Sequence, residues 1–213
     1  MTISPEAQNI IDQFDPENPR MGALKKCAAE IGTNHALAME LWQDGGYTAR
    51  LIAVLLMDKC LLDQMLIETL AADLEQMGDT NRNRISEWLM ANQLMKSART
   101  KKLLLSWADH DSPVLRRLFW YYQARLRWTG KIPVDNAKEL LDALQGRMQH
   151  EHPDVQWTMN FCAAWIGVYQ PEFRDECVAL GEKLGLYKGE KEVPGCTPNY
   201  LPRFIEVETA KRT

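Results

Sequence analysis

Apolar residues recur along most of the chain at intervals of three and four residues, the spacing that places them on one side of an α-helix. No stretch sustains the alternation of apolar and polar residues that is typical of a half-buried β-strand. The pattern therefore predicts an all-α protein. The expected helices span residues 4–14, 21–31, 35–44, 47–58, 61–74, 79–95, 97–109, 112–128, 134–148, 153–168 and 171–184.

Several of these boundaries follow from residues that start or stop helices. Ser4 precedes Pro5, and Ser112 precedes Pro113; in each pair the serine is an N-cap residue and proline suits the first helical position. The glycine pair at positions 45 and 46 ends the third helix. The segment 187–204 is rich in glycine and proline, so residues 185–213 are expected to form an irregular tail.

Paired helices of about 10 to 16 residues joined by short turns are typical of helical repeat proteins. We expect an α-α superhelix, that is, a solenoid of HEAT-like or armadillo-type repeats, forming one domain over residues 1–213 with an N-terminal helix and loop at 1–20. An irregular helical bundle is the alternative, although bundles favour fewer and longer helices.

Composition indicates the class of protein. The chain has 213 residues, 46% of them hydrophobic, which is enough for a sizeable core. Its longest apolar run, Leu51 to Met57, is too short to cross a membrane, and the N-terminus lacks a signal-peptide pattern. We therefore expect a soluble, cytoplasmic monomer with no membrane partner.

Cofactor and metal chemistry find no support in the sequence. The five cysteines form no C-x-x-C pair and are interpreted as reduced, mostly buried thiols. His150 and His152 precede a predicted helix and are interpreted as loop residues, because a metal site needs three or four convergent ligands. No glycine-rich phosphate loop or H-E-x-x-H pattern is present. The expectation is no cofactor and no metal.

Charge is distributed unevenly along the chain. The stretch from Thr80 to Lys131, called the basic stretch below, contains eleven basic and three acidic residues, a net charge of +8 in a chain of net −4. The preceding residues carry −8 and the following ones −4. A positive patch in an acidic protein indicates a polyanionic partner such as nucleic acid.

Five segments, taken in their order and spacing, resemble one known family. They are LKKCAAEIGTNHALAMELWQDGGYTARLIAVLL (24–56), MGDTNRNR (77–84), SPVLRRLFW (112–120), DVQWTMNFCAAWIG (154–167) and GCTPNYLPRFIE (195–206). Together they resemble the DNA alkylation repair family of HEAT-repeat DNA glycosylases. The resemblance implies a protein that holds duplex DNA and, in its active members, releases cationic N3- or N7-alkylated purines such as 3-methyladenine and 7-methylguanine.

The resemblance also implies four site positions, three of which are substituted here. The first tryptophan falls on Met77, the catalytic aspartate on Asn81 and the second tryptophan on Phe161, whereas the arginine is retained as Arg117. A carboxylate would stabilise the positive charge that develops on the sugar, and Asn81 lacks that charge. Asp79 is the nearby alternative carboxylate, although two residues away it points to a different side of a helix.

DNA contacts are expected mainly from the basic stretch. The predicted contact residues are Arg82, Arg84, Lys101, Lys102, Arg116, Arg117, Trp120, Arg125 and Trp157. Two alternatives stay open for them. Basic side chains are often simply solvated, and aromatic residues at helical spacing, such as Phe119 to Tyr122 or the row at 157, 161 and 165, are often core residues.

Two functional hypotheses follow from the residues and the resemblance. The first is a DNA glycosylase for cationic alkylpurines, with Asn81 or Asp79 near the sugar, Arg117 on a phosphate and Phe161 against the lesion. The second is a DNA-binding or scaffold protein without catalysis, in which the carboxylate has been lost and the positive groove kept.

Overall fold

The computed structural model describes residues 3–130 and 133–212, and all regular structure in those residues is helical. The α-helices are α1 (Pro5–Ile11), α2 (Met21–Ile31), α3 (His35–Asp44), α4 (Tyr47–Leu56), α5 (Gln64–Glu75), α6 (Asp79–Asn92), α7 (Ala98–Ser106), α8 (Pro113–Thr129), α9 (Ala137–Arg147), α10 (Pro153–Tyr169), α11 (Arg174–Leu184) and α12 (Leu201–Ala210). Short 3₁₀ turns occur at Leu94–Lys96, Met148–His150 and Pro171–Phe173. None of the described helices is both long and apolar enough to cross a membrane.

Side-chain caps confirm the predicted starts of α1, α3 and α8, and a fourth cap corrects the start of α5. In each case a side-chain oxygen accepts a hydrogen bond from the backbone N–H three residues later, which satisfies one of the free donors at the helix start. The capping residues are Ser4, Asn34, Asp63 and Ser112. Asp63 explains why α5 begins at Gln64 rather than at the predicted Leu61. Residues 131 and 132 of the predicted loop 129–133 lie outside the described residues.

The prediction of an irregular C-terminal tail is wrong for residues 201–210, which form α12. Pro202 suggested a loop, but it occupies the second helical position, where its missing N–H removes no helical hydrogen bond. Leu201, Phe204 and Ile205 are buried on one side of this helix. Burial of that apolar side favours the helix over the loop that composition predicted.

The described chain forms two compact units, one ending at Ser106 and the other beginning at Trp107. In the first unit, α4 is the central helix and packs against α2, α3 and α6. All of its residues except Leu55 are buried. Its single cation, Arg50, lies over the ring of Trp42 at 5.1 Å and donates to the carbonyl oxygens of Trp42 and Asp73. A helix that is apolar on all sides is suited to this central position.

In the second unit the central helix is α10, which packs against α8, α9, α11 and α12. Two glycines allow α12 to approach its neighbours closely. A Cβ atom at Gly167 of α10 would lie 2.6 Å from Cδ1 of Ile205, and one at Gly181 of α11 would lie 2.6 Å from Cδ of Pro202. Both separations are shorter than real Cβ contacts, and the one at Gly181 involves the proline ring and the Cβ of Leu201 at 2.8 Å, so the start of α12 docks where α11 has no side chain.

Replacing Gly181 by alanine is expected to destabilise the second unit, because the added methyl group meets Pro202 and the backbone-proximal Cβ of Leu201 at 2.8 Å. Overpacking of this kind costs about 1–3 kcal/mol of the free energy of unfolding, measurable by urea denaturation. Gly146→Ala in α9 is the matched control, since nothing lies within 4 Å of its added Cβ. That control is expected to gain about 0.5–1 kcal/mol. Equal stability changes in both variants would contradict the close docking of α12.

Candidate nucleic-acid interface

A row of aromatic residues follows one side of α10 at four-residue spacing: Trp157, Phe161, Trp165 and Tyr169. Neighbouring ring centroids are 5.0, 5.8 and 5.6 Å apart along the row. Trp165 is 8% exposed, whereas the other three rings are only partly buried. The row therefore contributes to the core through Trp165 and to the surface through Trp157, Phe161 and Tyr169.

Helix α8 places a second row beside the first. Tyr121 stacks on Phe161 at 5.8 Å with an interplanar angle of 16°, and Trp128 contacts Phe161 at 5.3 Å and Trp165 at 5.4 Å. We call the six residues Tyr121, Trp128, Trp157, Phe161, Trp165 and Tyr169 the aromatic face. Phe161 lies at its centre, because it touches rings from α8, α10 and, through Phe204, α12.

Three arginines stack on rings of the aromatic face. The guanidinium carbons lie 5.2 Å from the Trp157 ring for Arg117, 5.8 Å from Trp128 for Arg125 and 5.0 Å from Trp165 for Arg212. The attraction between a cation and the negative face of a ring supports all three contacts. The aromatic face is thus bordered by positive charge on α8 and after α12.

The three arginines differ in their other bonds. Arg212 forms an ion pair with Glu208 at 2.6 Å, and Arg117, only 4% exposed, donates from Nη1 to the carbonyl oxygen of Asp154 at 2.9 Å. Arg125 is half-buried, and its Nε has no hydrogen-bond partner among the described residues. Arg125, which is less buried than Arg117 and is not paired with Glu208 as Arg212 is, is the stacked cation best placed to receive an anionic ligand, and Arg117 is placed to hold the ring of Trp157.

Two residues predicted to contact DNA serve the structure of the second unit instead. Arg116 donates to both carboxylate oxygens of Glu151, at 2.8 and 3.2 Å, and to the backbone carbonyl of His110. Burial alone would raise the pKa of Glu151, but the bonds from Arg116 and a backbone N–H lower it. Trp120 is 1% exposed, so it presents no ring surface to a ligand; the neighbouring Tyr121 is only partly buried.

Arg127, counted above as part of a positive patch, is fully buried. Its guanidinium donates to Oε1 of Gln170 at 3.0 Å, to the carbonyl oxygen of Gln123 at 2.9 Å and to Oδ1 of Asn136 at 2.9 Å. All three acceptors are neutral, and burial lowers the pKa of the guanidinium. Local patterns do not predict this internal role, because Asn136 and Gln170 lie outside α8.

The first unit contains the other substituted family positions, at the start of α6. Asp79 is the first residue of this helix, and its exposed carboxylate pairs with Nη2 of Arg82 at 2.8 Å. Arg82 also donates to the carbonyl oxygen of Met77 at 3.1 Å, so its side chain links the first turn of α6 to the residues that precede the helix. Asn81 is half-buried two residues after Asp79. The carboxylate nearest to Asn81 in sequence is therefore already held by a cation.

The other members of the basic stretch in the first unit are exposed, and one of them, Arg99, also has acceptors within the protein. Arg99 donates to the carbonyl oxygens of Cys60 and Leu62, at 2.8 and 2.9 Å. Arg84, Lys101 and Lys102 have exposed side chains on α6 and α7. Lys131, the last residue of the basic stretch, lies outside the described residues. The charge available to a ligand is thus smaller than the count from the sequence.

Metal ligands do not cluster in the part of the chain that the structure describes: no group of three or more histidine, cysteine, aspartate or glutamate side chains is arranged to hold an ion. The second unit offers the aromatic face with its arginines, and the first unit offers exposed arginine and lysine side chains. Chemically, this set can stack on flat groups and pair with phosphates.

Comparison with solved structures gives a similar protein, with a TM-score of 0.68 over 98% of this chain and 89% of that chain, at 17% identity. That protein belongs to a family related to the HEAT-like repeat DNA glycosylases, with affinity for branched DNA structures. The likeness confirms the predicted all-α fold of HEAT-like repeats. A comparison with curated protein sequences gives no match.

A model of one protein family, described as DNA alkylation repair enzyme, matches residues 17–179. The matched range includes all of α2 to α10, and with them the aromatic face and the start of α6. It covers well over half of the 213 residues. The chain therefore belongs to the DNA alkylation repair enzyme family.

Proposed function

We propose that this protein binds DNA through the aromatic face, with a preference for branched structures, and that it does so without removing a base. The observation that carries the proposal is the combination of partly exposed rings at the centre of the face with Arg125 stacked on Trp128. Stacked rings bind bases of any sequence, and a neighbouring guanidinium binds the phosphate that follows.

A preference for branched DNA follows from what a ring surface can contact. In an intact duplex the flat faces of the bases are stacked on one another, so an aromatic side chain gains little. At a branch point or a strand end, base faces are open, and stacking on a partly exposed ring at the edge of the aromatic face, such as Tyr121, becomes favourable. The affinity of the structurally similar protein for branched DNA supports this preference.

Exposed cations of the first unit supply additional phosphate contacts in this proposal. Arg84, Lys101 and Lys102 carry exposed charges on α6 and α7. Each phosphate contact releases a counterion from DNA, so binding should weaken as salt concentration rises. These contacts add affinity but no preference for sequence.

Base excision is the second candidate function, favoured by the description of the matched family. Release of a cationic purine leaves positive charge on the sugar, which a nearby carboxylate stabilises. Asn81 supplies no negative charge, and Asp79 is paired with Arg82. Losing carboxylate stabilisation of about 3 kcal/mol slows the reaction at least about a hundredfold. Binding without excision is therefore the better supported function.

The test compares a three-way junction, a fork and a linear duplex of equal length by fluorescence anisotropy at several salt concentrations. We expect tighter binding to the branched substrates, with affinity for all three falling as salt rises. Equal affinity for linear and branched DNA would contradict the preference, and no binding at low salt would contradict the proposal itself. Charge reversal at Lys101 and Lys102 is expected to weaken binding to every substrate.

A parallel assay measures release of 7-methylguanine from methylated DNA. Wild-type protein is expected to release no more base than an Arg117→Ala control, and clear release above that control would favour the glycosylase hypothesis. Met77→Trp combined with Asn81→Asp restores two substituted family positions. If the rest of the site is competent, this double variant should release base where the wild type does not.

A further inference from the structure

The chain folds back after α11 and forms a cleft with the start of α12. We call this the tail cleft; its volume is about 480 Å³, and its walls include Tyr187, Lys188, Lys191, Asn199, Tyr200 and Arg203. It lies entirely within the second unit and beyond residue 179, where the family match ends. Neither comparison nor the proposed DNA contacts assign a role to it.

Three carboxylates line the tail cleft, and each has a partner inside the protein. Arg203 pairs with Glu206 at 2.7 Å and lies 3.5 Å from Glu192. Glu190 accepts a hydrogen bond from Nδ2 of Asn199 at 2.8 Å. Arg203 offsets part of the negative charge of Glu192 and Glu206, whereas the amide on Glu190 leaves its charge in place. Lys188 and Lys191 supply the further positive charge that an anionic ligand requires.

Asn199 is fixed at both its side chain and its backbone. Its side-chain amide is oriented by Glu190, and its carbonyl oxygen accepts from Nδ2 of Asn160 at 2.8 Å. An oriented amide is suited to pairing with the edge of a nucleobase, adenine above all. Asn160 precedes Phe161 on α10, so this contact also ties the tail cleft to the helix that carries the aromatic face.

An aromatic surface and positive charge lie next to that amide. The ammonium nitrogen of Lys188 is 6.0 Å from the ring centroid of Tyr200, and Lys191 is an exposed cation on the same wall. Tyr187, another aromatic wall residue, has a backbone φ of +62°, a conformation that residues other than glycine rarely adopt. Strain of this kind is often retained at binding sites.

We propose that the tail cleft binds one nucleotide, with the base against Tyr200, the base edge on the Asn199 amide and the phosphate on Lys188 and Lys191. A ring, an oriented amide and two cations are the groups that recognise the three parts of a nucleotide. The nucleotide is either free or an unpaired residue of DNA. The second possibility, an unpaired residue of DNA, rests on the proposed function, since it requires a branched substrate bound to the aromatic face.

The experiment has one arm for each source. Adenosine monophosphate is titrated into the full-length protein and followed by calorimetry, and a junction with 2-aminopurine in an unpaired flap is titrated and followed by fluorescence. Binding in either arm is expected to weaken about tenfold in Tyr200→Ala, through loss of stacking. Lys191→Ala is expected to weaken binding in the same titration. Lys183→Ala replaces an exposed lysine of α11 outside the cleft and is expected to leave binding unchanged in both titrations.

The outcomes separate this proposal from the proposed function. Saturable binding of adenosine monophosphate that Tyr200→Ala weakens supports the cleft even if the protein binds no junction. If the protein does not bind adenosine monophosphate but changes the fluorescence of 2-aminopurine in the flap, and Tyr200→Ala removes that change, the bound nucleotide is an unpaired residue of DNA. No response in either arm, or responses that Tyr200→Ala and Lys191→Ala leave unchanged, overturns the proposal even if junction binding itself is intact.

Discussion

Replacing Arg127 by alanine is expected to lower the free energy of unfolding of the second unit by about 3–5 kcal/mol. The substitution leaves the side-chain oxygens Oδ1 of Asn136 and Oε1 of Gln170 without their donor, whereas the carbonyl oxygen of Gln123 keeps its helical hydrogen bond from the backbone N–H of residue 127. A buried acceptor without a partner costs about 1–3 kcal/mol, and the lost side chain leaves a cavity. Urea denaturation of the purified variant measures the change.

Arg125→Ala is the matched control for this prediction, because it removes the same side chain two residues earlier on α8. Arg125 is half-buried and stacks on Trp128 without a hydrogen bond at its Nε, so its loss should cost about 1 kcal/mol or less. If Arg127→Ala is as stable as Arg125→Ala, the buried network does not hold the second unit together.

Replacing Phe161 by leucine is expected to weaken binding to junction DNA about tenfold or more, because Tyr121 and Trp157 stack on this ring and would lose the fixed position from which they stack on bases. Base stacking on an aromatic ring is worth about 1–3 kcal/mol. Leucine keeps an apolar side chain between Tyr121, Trp157 and Phe204, so the fold should lose less than about 1.5 kcal/mol. Anisotropy with the junction measures the affinity, and thermal unfolding checks the fold.

Arg116→Gln distinguishes a lost DNA contact from a general weakening of the second unit. Arg116 belongs to the basic stretch, but its guanidinium is bound to Glu151 and to backbone carbonyls. We expect this variant to be less stable than wild type and to bind the junction with unchanged affinity. If Arg116→Gln weakens binding as much as Phe161→Leu does, the aromatic ring has no special role.

Helices were predictable from the sequence where local signals agree with the apolar pattern. The range of α2 is as predicted, and Ser4 and Ser112 act as the expected caps. Helix α12 was missed because composition favours a loop at Pro202, and only the docking of its apolar side on α10 and α11 makes the helix stable. Such docking depends on tertiary contacts that a local pattern does not contain.

The candidate site was predictable only in part, for a related reason. Net charge indicated a polyanion, but it did not reveal that Glu151 neutralises Arg116 from 35 residues away or that Arg127 is enclosed by neutral oxygens. Helical spacing identified the row on α10 but not which edge is exposed. On α8, Tyr121 rather than Trp120 reaches the surface, a difference of one residue that depends on the packing of α8 against α10.

Photocross-linking tests most directly whether DNA lies on the aromatic face. A three-way junction with 5-bromodeoxyuridine beside the branch point is bound, irradiated and digested, and the linked peptides are identified by mass spectrometry. We predict adducts on α8 and α10, at Tyr121, Trp128, Trp157 or Phe161, and their loss when unlabelled junction competes. Adducts confined to other helices, with these four residues unmodified, would contradict the account.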